Sequence, residues 1–375
     1  MRPPVLELID VDKVYGFGRP NAVRAVEDLS LTVNEGEIVA LLGSSGCGKT
    51  STLRMVAGFE GVTKGKIKIA GREIQHLPPA KRGVAMAFEG YSLYPPLTVR
   101  ENIAFALKSQ RISPDEAARR VAEIAELMEI SDVLERYPAS ISGGQQQRAS
   151  LARALVRDAD LHLLDEPMGQ LEPQLRALLR GRIKHFIHER RLTAILVTHD
   201  QTEANALADR IAVMEEGILQ QYDTPAKLKD RPANLFTGTF IGEPPMNVFP
   251  ARVSSSERET VFDLGSGVSL KYPAAIFPPD LRSRLSQESD VCLGIRPHAV
   301  RLVDGGLPVT VSVVQWLGDQ THIAAQFASR TLVSVIHDRA RFAPGNTASI
   351  AISAEDLHIF DADTGVAIGH GKVAA

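Results

Sequence analysis

The sequence has few cysteines, no long apolar run and no excess of positive charge. Its 375 residues include two cysteines, Cys47 and Cys292, too few for a disulfide framework and typical of a reducing cytosol. No apolar run approaches the roughly 20 residues of a membrane-spanning helix. With 42 Lys and Arg against 45 Asp and Glu, the chain lacks the basic field of a nucleic-acid-binding protein. We therefore expect no nucleic-acid partner.

The N-terminal segment also lacks the apolar core of a secretion signal and carries acidic residues early. We expect a soluble, cytoplasmic protein that meets a membrane only through a partner. Hydrophobic residues make up 44% and charged residues 23% of the chain, as in ordinary globular proteins. The length suits two domains at roughly 150 residues each.

Strand-like apolar runs alternate with helical patterns through the first two-thirds of the chain, which predicts an α/β fold around a parallel sheet. The runs 37–42, 161–164 and 194–197 indicate buried strands. Polar residues follow each run, and a parallel sheet gathers such residues at its carboxyl edge, where ligands bind. Two helices with apolar core faces are predicted, one after a capping box at 113–116 and one after Pro173.

The character of the sequence changes near residue 238. The stretch 239–247 is rich in turn formers and indicates a linker. The predicted domains are therefore 1–238, with a helical subdomain at about 90–150, and 239–375. In the second domain, short alternating runs between Gly and Pro turns predict a small all-β antiparallel barrel. One such run is expected to place three side chains on one face: Val309, Val311 and Val313.

The segment 43–50 fits the phosphate-loop pattern and lies between a predicted strand and a predicted helix. Its glycines let successive backbone N–H groups surround phosphate oxygens at a positive helix end. Lys49 adds a point charge toward the β- and γ-phosphates, and Thr50 offers a hydroxyl to Mg²⁺. The predicted nucleotide-binding residues are Gly43, Ser44, Ser45, Gly46, Cys47, Gly48, Lys49, Thr50 and Ser51.

Two further strands end in groups suited to hydrolysis. Asp165 and Glu166 follow one strand, and we expect Asp165 to hold Mg²⁺ and Glu166 to polarise the attacking water. His199 follows the other and would contact the γ-phosphate or the water. Taken alone, each acid could cap a helix and the histidine could be structural. Their position beside a phosphate loop favours the catalytic interpretation.

The segment 141–148, Ile-Ser-Gly-Gly-Gln-Gln-Gln-Arg, resembles the signature sequence of ABC-transporter ATPases. With Gly-Ile-Arg-Pro-His at 294–298 and Pro-Met-Asn at 245–247, nearly the whole chain resembles the ATPase subunit of carbohydrate importers of the maltose and glycerol-3-phosphate type. The resemblance implies a P-loop ABC-type ATPase domain with a helical subdomain, followed by a small OB-like regulatory barrel. It also implies that the ligands are ATP and Mg²⁺.

The resemblance implies a head-to-tail pair of ATPase chains, in which the signature of one chain closes over ATP on the other. It assigns adenine stacking to Tyr15, and it implies two permease subunits received in a groove near 91–96, with Tyr91 at its start. An extracytoplasmic solute-binding protein would complete the importer, with this chain at the cytoplasmic face of the cell membrane. The signature residues assigned to ATP are Ser142, Gly143, Gly144 and Gln145.

Two positions depart from the family pattern. Glu89 stands where the family has glutamine, so we predict a carboxylate that acts as a Mg²⁺ ligand or a catalytic group, with an effect on turnover of undecided sign. Glu172 closes a Gly-Gln-Leu-Glu loop at 169–172 where the family has Ser-x-Leu-Asp. Pairing with a related ATPase chain would put one departure in each ATP site, and we favour it over pairing with a second copy.

Other functions remain open on the sequence. Importers of polyamines, iron or osmolytes share this architecture. A low-turnover regulatory subunit that binds ATP is a further alternative, which the set of Lys49, Asp165, Glu166 and His199 disfavours. A soluble ABC ATPase of translation or repair is disfavoured by the single phosphate loop and the lack of long coiled-coil inserts.

Overall fold

The computed structural model describes residues 4–90 and 92–371. The chain divides into two compact units, Met1–Pro225 and Ala226–Ala375. Tyr91, the first residue of the expected permease groove, lies outside the described residues.

The division between the units comes earlier than the predicted boundary at 238. The buried Arg296 guanidinium accounts for the difference, because it donates hydrogen bonds to the backbone oxygens of Lys229, Gly238 and Ile241. These bonds hold the segment before the predicted linker within the second unit. Burial lowers the pKa of Arg296 to about 10, so the side chain stays charged at neutral pH.

The first unit contains two sheets and a group of helices. Its strands are β1 (Leu6–Tyr15), β2 (Val23–Val33), β3 (Ile38–Gly43), β4 (Lys64–Ile69), β5 (Arg72–Glu73), β6 (Val84–Ala87), β7 (Leu161–Asp165), β8 (Ala194–Thr198), β9 (Arg210–Glu215) and β10 (Ile218–Asp223). Its helices are α1 (Lys49–Ala57), α2 (Val99–Phe105), α3 (Pro114–Leu127), α4 (Gly143–Leu155), α5 (Pro173–Glu189) and α6 (Gln201–Leu207).

The larger sheet of this unit has the strand order β10-β9-β3-β8-β7-β6. All neighbours pair in parallel except β10 and β9. The residues of β3, β7 and β8 are all buried, as expected for a parallel sheet covered on both faces. The smaller sheet, β2-β1-β4-β5, is antiparallel.

Polar caps start the helices of the predicted helical subdomain. Ser113 accepts from the Glu116 N–H at the start of α3, as the capping box requires. The Glu116 carboxylate does not complete that box, because it accepts instead from Arg119 and Arg120 within the same helix. Charge-assisted bonds of this kind are the stronger choice for the carboxylate.

The second unit is an all-β assembly with short helices, and α7 begins at the boundary. Its elements are α7 (Pro225–Asp230), α8 (Leu235–Phe240), β11 (Asn247–Ser255), β12 (Glu259–Asp263), β13 (Ser269–Pro273), α9 (Pro279–Leu285), β14 (Asp290–Ile295), β15 (Arg301–Trp316), β16 (Thr321–Phe327), β17 (Arg330–Ile336), β18 (Thr347–Ala351), β19 (Leu357–Asp361) and β20 (Ala367–His370). Two antiparallel sheets result, ordered β13-β12-β11-β14-β19-β20 and β17-β16-β15-β18, and their buried side chains form one core.

The run of valines on β15 is expected to place three side chains on one face, and one of them is not buried. Val309 and Val311 are buried as expected, but Val313 is 45% exposed. The register against β16 shifts between Val311 and Val313, so a bulge inserts one residue and turns the later side chain outward.

None of the helices within the described ranges 4–90 and 92–371 is both long enough and apolar enough to cross a bilayer.

Candidate functional site

Four adjacent strands of the parallel sheet deliver the predicted chemical groups to one edge. In the order β3-β8-β7-β6, the strands are followed by the phosphate loop, by His199, by Glu166 and by Glu89. These groups line a cleft of about 440 Å³. The residues that line it are Ser45, Gly46, Lys49, Thr50, Glu89, Gln147, Glu166, Gly169, Gln170 and His199.

The phosphate loop needs glycine on steric grounds. Gly48 has a φ of 98°, and a Cβ there would lie 2.3 Å from the Ala25 carbonyl oxygen. Gly48 is also the N-cap of α1 and, among the described residues, no side chain caps the helix. The backbone N–H groups of the first turn therefore remain available to an anion, which the helix dipole also favours.

Lys49 is held inside the loop. Its Nζ donates to the carbonyl oxygens of Gly43 and Ser44, each at 2.8 Å, and lies 3.5 Å from the Cys47 sulfur. The side chains of Lys49 and Cys47 are both buried. The ammonium thus keeps the loop curled around the place where phosphate oxygens would lie.

Asp165 sits among other carboxylates. Its pKa rises to about 6, chiefly because of burial and then because of the charges of Glu89 and Glu166. Arg54 and a hydrogen bond with Thr50 oppose the rise. The Asp165 Oδ1 atom is buried and finds no hydrogen-bond partner in the described part of the chain.

The Asp165 and Thr50 oxygens fit a Mg²⁺ ion. Mg²⁺ in nucleotide sites is typically held by one or two protein oxygens, water and substrate phosphates, so a large protein cage is not required. Within the described residues, no group of three or more His, Cys, Asp and Glu side chains has the arrangement of a protein-only metal site. The unpartnered Oδ1 atom and the Thr50 hydroxyl supply donors of the right chemistry.

Glu166 and His199 contact each other across neighbouring strand ends. The His199 Nδ1 atom lies 2.9 Å from the Glu166 Oε1 atom. Glu166 has a φ of 46°, a left-handed conformation that is strained for a residue with a side chain and that is often found at functional sites. The His199 side chain is 70% exposed and that of Glu166 is 16% exposed, so the pair borders solvent at the cleft.

Gln147 is a cleft residue to which the sequence interpretation gave no role. Its Nε2 donates to the Glu166 carbonyl oxygen at 2.8 Å, and its Oε1 accepts from the Gln170 N–H at 3.0 Å. Helical spacing was the available signal, because Gln147 lies one turn before the buried Leu151 on α4. The sequence interpretation also gave no role to two residues behind the cleft, Arg176 and Glu203.

Tyr15 lies beside the phosphate-loop helix rather than among the cleft residues. Its hydroxyl is 3.1 Å from the Ser51 Oγ atom, and the Lys13 ammonium lies 4.5 Å from the centre of its ring. The ring is thus fixed next to α1 by one hydrogen bond and one cation–π contact.

The signature residues 142–145 lie outside this cleft, whereas Gln147 of the same segment lines it. Ser142 caps α4 in a full capping box, in which its Oγ accepts from the Gln145 N–H and the Gln145 Oε1 accepts from the Ser142 N–H. Ser142 is exposed, and Gly143 and Gly144 are half-buried. None of the residues 142–145 is among the described residues that line the cleft. The structure therefore does not place these signature residues at the phosphate loop of their own chain.

Comparison with family models divides the chain in three. Residues 26–169 match the ABC transporter family, residues 242–300 match the MalK OB fold domain, and residues 293–360 match the TOBE domain. A dimeric structure of the ATP-binding cassette MJ0796 in a post-hydrolysis state bound to ADP and Pi is similar, with a TM-score of 0.54 and 27% identity. It covers 58% of this chain and 98% of its own.

Full-length relatives extend the match to both units. The sn-glycerol-3-phosphate import ATP-binding protein UgpC of Cereibacter sphaeroides is 39% identical over 364 residues, or 96% of this chain and 98% of its own length. The sulfoquinovosyl glycerol transport ATP-binding protein SmoE of Agrobacterium fabrum is 39% identical over 362 residues, with the same coverage. The predicted fold class is confirmed. The chain belongs to the ATP-binding subunits of ABC importers and is an ATPase coupled to transport.

Proposed function

We propose that this cleft binds Mg²⁺-ATP and hydrolyses it to drive import of a small carbohydrate-like solute. The observation that carries the proposal is the convergence of four adjacent strand ends on one cleft. Phosphate oxygens accept from the N–H groups of the phosphate loop, and Lys49 neutralises charge beside them. Thr50 and Asp165 hold Mg²⁺, which stabilises the negative charge of the phosphates when bound. Glu89 faces the same region as a further ligand.

Glu166 acts as the general base on the attacking water, and His199 positions it. The 2.9 Å contact supports this pairing, because a histidine that donates to a carboxylate fixes its orientation. The bond from Gln147 to the Glu166 carbonyl holds the base from behind. As the water oxygen bonds to the γ-phosphorus, its proton passes to a Glu166 oxygen. The bond from the γ-phosphorus to the bridging β-phosphate oxygen breaks, so that ADP leaves with that electron pair and inorganic phosphate is released.

The ATP site is completed by a second ATPase chain. Support comes from Ser142, which is exposed, and from Gly143, Gly144 and Gln145, none of which is among the described residues that line the cleft of their own chain. In the proposed pair, Ser142, Gly143, Gly144 and Gln145 of one chain donate toward the γ-phosphate held by the other, and Tyr15 stacks on adenine. The dimeric MJ0796 structure supports the arrangement.

A groove on the first unit receives the membrane permeases. It has a volume of about 610 Å³, and four aromatic side chains line it: the exposed Phe59, Tyr94 and Phe105 and the half-buried Phe88. Phe59 pairs with Phe88 at 5.4 Å between ring centroids, and Tyr94 pairs with Phe105 at 4.8 Å. Exposed rings of this kind, with Arg153 over the Tyr94 ring at 5.6 Å, suit an apolar helix that carries a polar end.

The solute is a sugar, polyol or glycerol-phosphate-like compound delivered by an extracytoplasmic solute-binding protein. The names of UgpC and SmoE support this class. Two permeases and two ATPase chains would form the importer, with this chain at the cytoplasmic face of the cell membrane. Uptake of labelled glycerol phosphates, sugars, polyamines and iron by cells with and without this chain tests the substrate class, and loss of polyamine or iron uptake alone would contradict it.

A dimerisation assay tests the composite ATP site. In a Glu166→Gln chain, which retains ATP, light scattering should show two chains joining when ATP is added. Ser142→Arg should abolish the joining while the affinity of a single chain for a fluorescent ATP analogue changes less than about twofold. Ser286→Arg, on an exposed site of the second unit, is the matched control. A tenfold-weaker single-chain affinity in Ser142→Arg would place the signature in its own site and contradict the proposal.

A further inference from the structure

Arg176 lies behind the cleft and joins two loops of the first unit. It belongs to α5, and its NH1 group donates to the Asp200 Oδ2 atom at 3.0 Å. Its NH2 group donates to the carbonyl oxygens of Gly169 and Leu171, at 3.3 and 3.1 Å. The two side chains of the ion pair are only 26% and 24% exposed, so water screens the pair less than a surface pair. One guanidinium thus holds two backbone segments at once.

The first segment carries His199. Asp200 caps α6 by accepting from the Glu203 N–H at 3.0 Å, while its own N–H donates to the Thr198 hydroxyl oxygen. The Thr198 hydroxyl in turn donates to the buried Glu203 carboxylate at 2.6 Å. The residues on both sides of His199 are therefore fixed by side-chain hydrogen bonds, and Arg176 is bonded to one of them.

The second segment is the loop 169–172. Its Gln170 N–H donates to Gln147, which also holds the Glu166 carbonyl oxygen. Because Glu166 contacts His199, hydrogen bonds and short stretches of backbone together form a closed ring. It runs from His199 along the chain to Asp200, and then through Arg176, the loop and Gln147 back to Glu166. A closed ring of this kind gives a physical path between the two loops.

We propose that Arg176 is a positioning residue that makes the His199 loop and the loop 169–172 move as one body. This inference rests on the proposed composite ATP site and takes the loop 169–172, whose Glu172 is expected to reach the ATP site of the second chain, to face that chain. A change at the γ-phosphate that shifts His199 then also shifts the loop that meets the partner. Arg176 thereby links hydrolysis in one site to the closure of the pair.

The planar fork of arginine is needed for this role. Asp200 and the two carbonyl oxygens lie on different segments, and two separate N–H groups of one rigid plane reach them. Lysine keeps the charge but carries its donors on a single nitrogen, which cannot occupy the positions of both NH1 and NH2, so it cannot keep all three bonds. Arg176→Lys therefore tests the geometry and not merely the charge.

The experiment measures pairing and binding separately. In the Glu166→Gln background, Arg176→Lys should weaken the ATP-dependent association of two chains about tenfold, within the 5- to 150-fold range usual for coupling between sites. The affinity of a single chain for a fluorescent ATP analogue should change less than about twofold, and the melting temperature should stay within about 3 °C. In the otherwise unchanged chain, kcat should fall about tenfold.

Asp200→Asn and Arg182→Met are the comparison variants. Asparagine still caps α6 but removes the ion pair, so Asp200→Asn should reproduce the Arg176→Lys effect, and the double variant should be no worse than either single one. Arg182 lies on the same helix and pairs with Glu129 at 2.9 Å, away from both loops. Arg182→Met should leave association and kcat unchanged.

The outcomes separate this inference from the proposed function. If Glu166→Gln alone does not associate with ATP, a composite site between two copies of this chain fails, and the inference, which is tested on that pair, fails with it. If it associates and Arg176→Lys associates equally well with an unchanged kcat, only the role of Arg176 is wrong. A fall in single-chain ATP affinity that matches the fall in kcat would show a local structural role and also overturn the inference.

Discussion

The phosphate-loop cleft and the cluster around Arg296 are both rich in polar motif residues, but they use those residues differently. In the cleft, polar groups border solvent or lack a partner, as the exposed His199 and the buried Asp165 Oδ1 atom illustrate. Around Arg296, the guanidinium donates to three backbone oxygens within its own unit. The unpaired carboxylate oxygen and the exposed imidazole mark the chemical side of this comparison, and the buried guanidinium bonded to the backbone marks the structural side.

Asn247 extends the structural side of this comparison. Its Nδ2 donates to the carbonyl oxygens of Ile295 and Val333, and its Oδ1 accepts from the Val333 N–H. These bonds join a strand of one sheet to a strand of the other. Gly294 has no space for a side chain, since a Cβ would lie 2.2 Å from the Met246 sulfur. The two motifs of the second unit therefore hold its two sheets and its first helices together.

Glu166→Gln should give the largest effect, a fall in the rate of ATP hydrolysis without a loss of stability. Loss of a general base typically lowers a rate by about 10²- to 10⁴-fold. Phosphate release measures the rate, and melting temperature should stay within about 3 °C of the unchanged chain. Glu189→Gln is the control, because that side chain is 65% exposed on α5. If ATP turnover is unchanged in Glu166→Gln, Glu166 is not the general base.

Arg296→Met should lower the stability of the second unit and leave ATP turnover nearly unchanged. Three backbone oxygens lose their charged donor, and we expect the second unit to lose about 4 kcal/mol of stability. Chemical denaturation measures the loss, while ATP turnover of the native chain should stay within about twofold at 25 °C. Arg252→Met, on an 86% exposed side chain, should be neutral. A large fall in turnover without a fall in stability would contradict the structural role.

Glu203 is a buried carboxylate that is not among the described residues lining the cleft, and it tests whether a structural carboxylate differs from the catalytic ones. The pKa of Glu203 rises from 4.5 to about 7, chiefly because of burial and to a smaller extent because of the charges of Asp200 and Glu166. A hydrogen bond from Thr198 and the charge of Arg176 oppose the rise. Between pH 4.5 and 7 the unfolded chain has lost this proton and the folded chain keeps it, so the stabilisation is complete below pH 4.5 and is lost as pH rises to about 7.

The expected size of this loss is about 3 kcal/mol over the interval. Glu203→Gln stays uncharged, so its free energy of unfolding should fall less than that of the unchanged chain between pH 5 and pH 7.5. Denaturant titrations of the ligand-free protein at both pH values give the difference. If the free energy of unfolding falls equally between the two pH values for both proteins, the raised pKa of Glu203 is contradicted.

Glu89→Gln should give the smallest effect. Glu89 is exposed at the cleft edge and its charge contributes to the raised pKa of Asp165. Without Mg²⁺, removal of this charge should raise ATP affinity about twofold to fivefold, because like charges repel, and added salt should diminish the gain. Calorimetry in chelator measures it. Weaker ATP binding by the variant under these conditions would contradict the repulsion.

Local motifs could be predicted from the sequence because their geometry is local. The strand, loop and helix around 43–50 follow from apolar runs and glycines, and the carboxyl edge of a parallel sheet brings later strand ends beside them. The bulge that turns Val313 outward and the bonds from Arg296 to the segment before the linker depend on residues distant in sequence. The roles of Gln147 and Arg176 are of this second kind, since each joins loops that meet only in the fold.

Native mass spectrometry tests the central claim most directly. A tagged chain purified from the membranes of its own cells in mild detergent should carry two permease chains and a second ATPase chain. A mass for two identical ATPase chains would place Glu89 and Glu172 in every site, and a mass for a related chain would place them in opposite sites. Purification of this chain without any membrane protein would contradict the account of an importer ATPase.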